Sequence, residues 1–434
     1  MKPTTLTRCL AASAAISLLV PLAACGSSSA DDGKTKLTMV ESLTTPVRTK
    51  ILKTLLKDFE AQNPDITVDL VSPPTDSADR TIQQMLQSGE GIDVLEVRDI
   101  TVGGFSKNGW LDDLSSDMEN WDGWDKLTDN AKNSAKGESG KIWYMPYGFY
   151  GLSLFYRTDL IKQAGFSEAP KSWDDLLEQA SAIQNTDKKQ YGYAFRGGSN
   201  SDSNAVAIIE AYVADELDTS NAFKLKNGKT IFSAPEAKDA MDTYLKIFKK
   251  ASPPSSVSWG YPEMVEGFSN GSTAFLLQDP EVISTLSKST SITTDQWDTA
   301  PLLTGPTGKA AQPIAAAGWG IAKSSEHQAA ALKLIKYLAS EKPATTFAAE
   351  NSLVPIVKSA INSSQYTTGK WKSYATMTND PSTYINVTQP RSVSWWTDWG
   401  QKSDADIQQW LLGKISTTDL LKGWDQYWTE KWAQ

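Results

Sequence analysis

The sequence predicts an α/β fold built in two units, and two observations carry this prediction. Short segments that alternate apolar and polar residues recur between segments whose apolar residues are three or four apart, first over 36–97 and again over 152–338. This order of strands and helices implies parallel pairing with helices on the faces of a sheet. The 434 residues are many for a single core, so we expect two units with a cleft between them.

The N-terminus has the features of an export leader. Lys2 and Arg8 precede an apolar stretch that runs roughly from Leu10 to Ala24 and ends in small residues, as a secretory signal peptide does. This stretch is shorter than the ~20 residues that a membrane-spanning helix needs. We therefore expect residues 1–24 to be removed from the mature chain.

The end of this leader, LAACG, resembles a bacterial lipobox, with Cys25 as the residue that receives lipid. Cleavage would leave Cys25 as the new N-terminus, and its acyl chains would anchor the protein to the membrane. Residues 25–35, in which Cys25 is followed by a Gly and three serines, would then form a flexible tether. The alternative is an ordinary secretory signal with an unrelated cysteine.

Charge and cysteine content exclude several classes of protein. Without Lys2 and Arg8 the mature chain has 40 basic and 51 acidic residues, a net charge of −11, and no basic run. Binding to a phosphate backbone requires clustered Lys or Arg, so we expect no nucleic-acid partner. Cys9 leaves with the leader and Cys25 is lipidated, so no thiol is left for a disulfide or a metal site.

The first unit is predicted to alternate strand and helix. Its first helix has Val47, Ile51, Leu55 and Phe59 four residues apart, which places them on one face. The predicted elements are strands at 37–42, 66–71 and 92–97 and helices at 46–63 and 78–91.

The second unit resumes this alternation. Ser172 and Asp175 have the spacing of a capping box and mark the start of a helix. The predicted elements are strands at 152–157, 191–197 and 273–278 and helices at 172–184, 204–215, 235–250, 325–340, 404–414 and 418–434.

Ligands of open α/β sheets bind beyond the carboxyl ends of the strands. The residues just past each predicted strand are therefore candidates for a binding site. They are Glu41, Ser42, Arg98, Asp99, Arg196 and Asp279.

The residues of most catalytic and cofactor sites are missing. His327 is the single histidine, which makes a Ser-His-Asp triad improbable, and no phosphate-binding or dinucleotide-binding glycine motif occurs. Pairs of carboxylates suffice for glycoside hydrolysis, but 112–113 fits a polar turn and 174–175 a helix N-terminus. We expect no enzymatic activity, no cofactor and no metal.

Two groups stand out among the sixteen tryptophans. Trp424, Trp428 and Trp432 recur every four residues in the last helix, which predicts core packing. A second group lies in predicted loops, where indole faces would stack on sugar rings while nearby polar groups bind the hydroxyls. Packing between the units or at a hinge is the alternative. This second group is Trp259, Trp319, Trp395, Trp396 and Trp399.

The order of several motifs resembles the extracellular solute-binding proteins of carbohydrate ABC transporters, the family that includes maltose-binding protein. The resemblance covers nearly all of the mature chain, and its longest motif is GKIWYMPYGFYGLSLFYRTDLIKQAG at 140–165. The other motifs are FEAQNPDITV (59–68), MLQSGEGIDVLEV (85–97), GGFSKNGWLDDL (103–114), PKSWDDL (170–176), FSNGSTAFLLQDP (268–280) and AAAGWGIAKSSEHQAAALKLIKYL (315–338).

The resemblance implies a two-lobe fold of the type II periplasmic-binding-protein class. One lobe would contain 36–147 and 317–365, and the other 148–316 and 366–434. A sugar would bind in the cleft between the lobes and draw them together, and the closed form would dock on a membrane permease. No bond of the sugar would be made or broken.

The resemblance also implies site residues. They would follow the first strand and the third, enter the cleft after the proline of the 140–165 motif, and include a late aromatic. Tyr150 stands where maltodextrin binders have a glutamate, and Asp279 lies where those relatives have a stacking tryptophan. The implied set is Glu41, Arg98, Asp99, Tyr147, Tyr150, Asp279 and Trp395 or Trp396, with Arg196 as a further polar anchor.

The sequence therefore predicts a lipid-anchored monomer on the outer face of the cell membrane that binds a di- or oligosaccharide for an ABC importer. Two alternatives remain open. The same fold could bind a polyol or a glycerophosphodiester, and a lipoprotein glycosidase could use two carboxylates.

Overall fold

The computed structural model describes residues 33–44, 46–89, 91–136, 140–313, 315–393 and 395–433. The expected leader, the lipidation site at Cys25 and the tether up to residue 32 lie outside the described residues. Within the described residues, none of the helices combines the length and the apolar character that crossing a membrane requires.

Each strand and helix predicted from the sequence is present in the described residues, and further elements that were not predicted lie between them. The strands are β1 (Thr35–Val40), β2 (Ile66–Val71), β3 (Val94–Arg98), β4 (Met145–Tyr150), β5 (Ser153–Arg157), β6 (Tyr191–Tyr193), β7 (Thr273–Gln278), β8 (Trp297–Ala300), β9 (Ala310–Pro313), β10 (Ala315–Ile321) and β11 (Tyr384–Val387). The helices are α1 (Pro46–Gln62), α2 (Thr75–Ser88), α3 (Asp99–Lys107), α4 (Ser115–Glu119), α5 (Asp129–Lys136), α6 (Thr158–Gln163), α7 (Trp173–Ile183), α8 (Asp202–Tyr212), α9 (Pro235–Ala251), α10 (Tyr261–Ser269), α11 (Glu281–Leu286), α12 (Gln328–Leu338), α13 (Glu341–Glu350), α14 (Lys358–Ile361), α15 (Ser364–Thr367), α16 (Lys372–Asn379), α17 (Trp396–Leu411) and α18 (Thr417–Trp432).

The larger sheet has the strand order β2-β1-β3-β10-β4. Strand β1 pairs in parallel with β2 and β3, which confirms the strand–helix–strand prediction for this part of the chain. Strand β10 comes from a distant part of the sequence and pairs antiparallel with both β3 and β4. It is therefore an interior strand of this sheet.

A second sheet has the order β6-β7-β5-β8, and β11 and β9 form a separate parallel pair. Strand β5 pairs antiparallel with β7 and β8, while β6 pairs in parallel with β7. The strand predicted at 191–197 is shorter than expected and ends at Tyr193. The chain then leaves the sheet, because the Gly197 N–H donates to the carbonyl of Ser256 at 3.1 Å.

Buried side chains form two separate cores, which define two lobes. The core of lobe 1 extends over 37–149 and 316–360, and the core of lobe 2 over 154–311 and 361–428. The chain passes from one core to the other three times, so the lobes are joined by short crossing segments. By backbone contacts Thr35–Gln434 form one compact unit, and the residue-level boundaries expected for the lobes stay a prediction.

At two helices the structure agrees with predictions made from short sequence patterns. In α1, Leu55 and Phe59 of the predicted apolar face are buried. At the start of α7, the Asp175 N–H donates to the Ser172 hydroxyl at 3.1 Å, and the Ser172 N–H donates to the Asp175 carboxylate at 3.0 Å. The predicted capping box is thus confirmed.

The tryptophans of the C-terminal helices form an aromatic core. Trp424 and Trp428 are fully buried, which confirms their predicted role. The ring of Trp399 lies 5.2 Å from that of Trp424 and 5.3 Å from that of Trp428. The prediction of a loop was wrong for Trp396 and Trp399, because Trp396 begins α17 and Trp399 is buried one turn later. Trp395 lies in the turn just before this helix.

Replacement of Trp424 by alanine should leave a cavity where α17 and α18 pack. Because the side chain is fully buried, we expect the free energy of unfolding to fall by about 3–5 kcal/mol. Urea denaturation followed by circular dichroism measures this change. Leu412→Ala is the control, since Leu412 is 59% exposed and should lose little stability. Equal stability of the two variants would contradict the proposed packing.

Candidate functional site

A cleft of about 2330 Å³ lies between lobe 1 and lobe 2 and is lined by side chains from both. Its walls combine aromatic rings with charged groups, which is the composition of sites that bind polar organic ligands. The structure brings together most of the side chains predicted from the sequence. Those that line the cleft are Arg98, Asp99, Tyr150, Arg196, Asp279, Trp395 and Trp396.

The wall of lobe 1 rests on a buried ion pair. Arg48 from α1 and Glu96 from β3 are almost completely buried, and their Nη2 and Oε1 atoms are 2.9 Å apart. The Tyr147 hydroxyl donates to the same Glu96 oxygen and lies 3.4 Å from the Tyr150 hydroxyl. The Arg48 guanidinium also stacks over the Tyr147 ring at 4.6 Å. Tyr150 is thereby fixed where it faces the cleft.

The second oxygen of Glu96 holds the loop that follows β1. It accepts from the backbone N–H groups of Ser42 at 2.6 Å and Leu43 at 3.0 Å. Burial alone would raise the pKa of Glu96, but Arg48, Tyr147 and these two N–H groups outweigh burial and lower it. The carboxylate is therefore charged and fully paired, and it shapes the cleft without facing a ligand.

Arg98 and Asp99 stand at the end of β3, where the strand-end rule predicted them. Arg98 pairs with Asp79 of α2. Asp99 Oδ2 lies 3.2 Å from Nε of Arg391, which belongs to lobe 2. Both side chains thus line the cleft with their charges already balanced.

Arg196 provides a cation on the wall of lobe 2. Its Nε donates to the carbonyl of Ser199 at 2.8 Å, and its Nη1 to the hydroxyl of Ser203 at 3.4 Å. Burial lowers the pKa of Arg196, while the charges of Asp202 and Asp279 oppose this shift.

Asp279 and Glu281 add two carboxyl groups to the same wall. They lie at the turn between β7 and α11, where Asp279 Oδ1 accepts from the Glu281 N–H at 3.0 Å. Burial raises the pKa of both groups, and the neighbouring Asp279 raises that of Glu281 further. Both side chains line the cleft and offer oxygen acceptors to hydroxyl groups.

Trp395 and Trp396 form the aromatic part of the cleft. Both are half-buried, and their rings lie 6.4 and 6.3 Å from the buried ring of Trp428. Trp396 also packs against Phe223 at 5.9 Å. Trp399 belongs to the core instead, since its Nε1 donates to Asp202 at 2.8 Å. Two of the three indoles in this segment therefore reach the cleft.

Trp319 and Tyr147 do not face the cleft, contrary to the prediction. Each is 2% exposed, and their rings pack on one another at 5.3 Å in the core of lobe 1. Trp319 looked like a loop residue because glycines flank it, but it lies in the interior strand β10. On the face of the sheet its ring also packs near the Phe347 ring of α13, at 6.4 Å.

Glu41 and Trp259 are also placed away from the cleft lining. Glu41 is fully buried and accepts from the hydroxyls of Thr49 and Ser72, both at 2.6 Å. The Trp259 ring packs on α10, where a Cβ at Gly267 would lie 2.9 Å from it. Neither side chain lines the cleft, so the prediction that Glu41 and Trp259 bind the ligand does not agree with their positions.

Several cleft residues were missed by the sequence analysis. Arg48 and Tyr261 lie in helices and Arg391 lies in a turn, none of them at a predicted strand end. Only Glu281, two positions after Asp279, had a usable signal. The missed residues that line the cleft are Arg48, Tyr261, Glu281 and Arg391.

Gln389 connects the cleft to a buried carboxyl group in lobe 2. It lines the cleft, and its Nε2 donates to Oε1 of Glu210 at 3.0 Å. Glu210 lies in α8 and is fully buried, and burial raises its pKa to about 8 despite this hydrogen bond.

Comparison with known proteins places these features in a family. A family model described as bacterial extracellular solute-binding protein matches residues 45–345. A probable ABC transporter-binding protein of Deinococcus radiodurans is 26% identical over 314 residues, which are 69% of this chain and 71% of the relative. The mannitol-binding protein of Pseudomonas aeruginosa is 26% identical over 229 residues, 51% of this chain and 50% of the relative. The chain thus spans about half to seven-tenths of the curated relatives it matches.

Solved structures show the same fold. The maltose-bound MalE3 of T. maritima has a TM-score of 0.75 at 24% identity, covering 91% of this chain and 98% of that one. An ABC transporter solute-binding protein of Agrobacterium vitis with bound D-mannitol has a TM-score of 0.68 at 20% identity, covering 92% and 98%. The two-lobe α/β architecture predicted from the sequence is confirmed.

Glu210 should make stability fall as pH rises. The folded state holds its proton up to a pKa of about 8, whereas the unfolded chain loses it near pH ~4.3. Folding therefore takes up a proton between these values, and stability decreases across this window and levels off above it. We expect Glu210→Gln to unfold with a free energy roughly a few kcal/mol higher than wild type at pH 9 and equal to it near pH 4.

Urea denaturation from pH 4 to 9 measures this difference. Glu216→Gln is the matched control, because Glu216 is exposed just after the same helix. A constant difference between Glu210→Gln and wild type over the whole range would show that Glu210 does not titrate in this window.

Proposed function

The chain belongs to the family of bacterial extracellular solute-binding proteins, and we propose that it binds a neutral carbohydrate in its cleft and delivers it to an ABC permease. The observation that carries this proposal is the pair of half-buried indoles, Trp395 and Trp396, beside carboxylates in a cleft lined by two lobes. No chemical step on the carbohydrate is part of this function.

The aromatic and polar walls suit a sugar. A pyranose ring has a C–H face that stacks on an indole, and hydroxyls that hydrogen-bond to groups such as Asp279, Glu281 and Tyr150. Typical small-molecule pockets measure ~300–1,000 Å³. The cleft, at about 2330 Å³, is larger than these, which supports a di- or oligosaccharide.

The charges of the cleft support a neutral ligand. Arg48 pairs with Glu96, Arg98 with Asp79 and Arg391 with Asp99. Since each of these cations already has a carboxylate partner, a phosphate group would have to break a pair to gain one. Arg196 differs, because its guanidinium donates to neutral oxygens of Ser199 and Ser203. The three ion pairs therefore favour sugars and polyols, while Arg196 keeps the glycerophosphodiester alternative open.

A polyol is the second candidate ligand, and the relatives favour it. One is named as a mannitol-binding protein, and one similar structure holds D-mannitol. A linear polyol would use the same carboxylates and arginines but would need less of the stacking surface. A thermal-shift screen against mono-, di- and trisaccharides and polyols, followed by calorimetry, decides between the two classes.

A glycosidase is the least supported candidate. Its two carboxylates must flank the scissile bond with a separation of ~5–9.5 Å. Asp279 and Glu281 instead follow one another on the same wall of lobe 2, and the backbone of one donates to the side chain of the other. Chromatography of the sugar after incubation tests this point, because binding without reaction leaves the sugar unchanged.

The location that we propose is the outer face of the cell membrane, with the protein held as a monomer by a lipid on Cys25. The LAACG sequence and the glycine–serine tether support this anchor. An anchor would keep the binding protein close to its permease and raise its effective concentration there.

Trp395→Ala and Trp396→Ala should each weaken binding of the carbohydrate by about 1–3 kcal/mol without unfolding the protein, as loss of a stacking aromatic does. Isothermal calorimetry with the best ligand of the screen measures the affinity. Trp259→Ala is the control, since this half-buried indole of the same lobe packs away from the cleft. Unchanged affinity in both Trp395→Ala and Trp396→Ala would remove these rings from the site.

Replacement of Cys25 by serine should release the protein from the membrane fraction of its host and abolish incorporation of labelled palmitate. The physical reason is the loss of the thiol that would carry the acyl chains. Cys9→Ser is the matched control and should remain membrane-bound. Membrane association of Cys25→Ser would contradict the anchor.

A further inference from the structure

The two lobes touch each other at one side of the cleft through one segment of lobe 2. This segment, residues 386–393, is called the strap. Its Asn386 side chain donates to that of Asn130 at 3.4 Å, its Arg391 pairs with Asp99 at 3.2 Å, and its Ser392 lies against Gly103. A separate contact, from the Tyr366 hydroxyl to the Leu353 carbonyl at 3.4 Å, lies near the crossing at 360–361.

The contact between Ser392 and Gly103 leaves no room for a side chain. A Cβ placed on Gly103 would lie 1.8 Å from the carbonyl oxygen of Ser392 and 2.9 Å from its carbonyl carbon. No side-chain rotation relieves such an overlap, since both atoms belong to the backbone. The neighbouring Gly104 has no atom within 4 Å of the same position.

The strap is fixed to lobe 2 and moves with it. Strand β11 at its start pairs with β9, and the Thr388 N–H donates to the carbonyl of Thr219 at 2.9 Å. Gln389 donates to Glu210 at 3.0 Å. Because the strap is held this firmly, a clash at Gly103 would be relieved by separation of the lobes.

The strap also links the contact between the lobes to the aromatic part of the cleft. The Arg391 guanidinium lies 5.8 Å from the Trp396 ring, while its Nε pairs with Asp99. Approach of the lobes at Gly103 therefore sets the distance between the indoles on lobe 2 and the polar wall of lobe 1.

We propose that Gly103 is a positioning residue for ligand binding, because only a glycine at this place lets the lobes close. This inference rests on the proposed function. Any larger residue would hold the strap away from α3, and a ligand bound to one lobe would lose its contacts with the other. The apparent affinity for the ligand would then fall in proportion to the fraction of molecules that can still close.

The test compares Gly103→Ala with Gly104→Ala, which make the same change at adjacent positions of α3. We expect Gly103→Ala to raise the calorimetric Kd for the best saccharide or polyol at least about tenfold, and Gly104→Ala to leave it unchanged. Addition of Ser392→Gly should not rescue Gly103→Ala, since the overlap is with the backbone of Ser392. Circular dichroism melting verifies that each variant is folded.

Closure itself is measured without a ligand by cross-linking. Asn130→Cys and Asn386→Cys, in a full chain that also carries Cys9→Ser and Cys25→Ser, place two thiols where the lobes meet. A short thiol-to-thiol reagent should join them several-fold more slowly with Gly103→Ala than with Gly104→Ala or neither change. Equal rates would overturn the proposal, whatever the affinities are. A third outcome separates the two proposals. If Gly103→Ala cross-links more slowly but wild type binds no saccharide or polyol, the proposed function is refuted while the role of Gly103 in closure is supported.

Discussion

The separation of one chain into two cores is the constraint on which the rest of the structure depends. The chain leaves the core of lobe 1 after residue 149, returns at 316, and leaves again after 360. Each crossing is short, so the cores remain neighbours but do not fuse, and the strand ends of both sheets face a common cleft. Asp99 follows a strand of lobe 1 and Asp279 follows a strand of lobe 2. The two side chains thereby line opposite walls of one site.

Charge pairing then determines what this cleft can hold. The Arg48–Glu96 pair is buried, and its carboxylate also receives two backbone N–H groups and the Tyr147 hydroxyl. Breaking such a pair would leave an uncompensated buried charge, which is strongly destabilising. A ligand therefore gains most from surfaces that are not yet satisfied, which are the half-buried indole faces and the carboxyl oxygens of Asp279 and Glu281. A neutral ligand rich in hydroxyls matches these surfaces.

Periodicity predicted the parts of the fold that depend on neighbouring residues. The strands and helices of 35–98 and the Ser172 cap follow from local patterns, and so do Arg98, Asp99 and Asp279 at strand ends. The predictions that failed concern residues whose surroundings are set by segments distant in the sequence. Trp319 is enclosed because β10 inserts between β3 and β4, and Arg48 is buried through a partner 48 positions away. Periodicity gives no sign that a charged residue early in a helix will meet a strand from elsewhere in the chain.

Hydrogen–deuterium exchange of the full chain, with and without a saturating saccharide or polyol, tests the central claim most directly. If the ligand lies between the lobes, protection should rise together in 98–103 of lobe 1 and in 278–281 and 386–396 of lobe 2, with little change in buried strands such as β1. Protection confined to one lobe, or to a surface away from the cleft, would contradict an interlobe site.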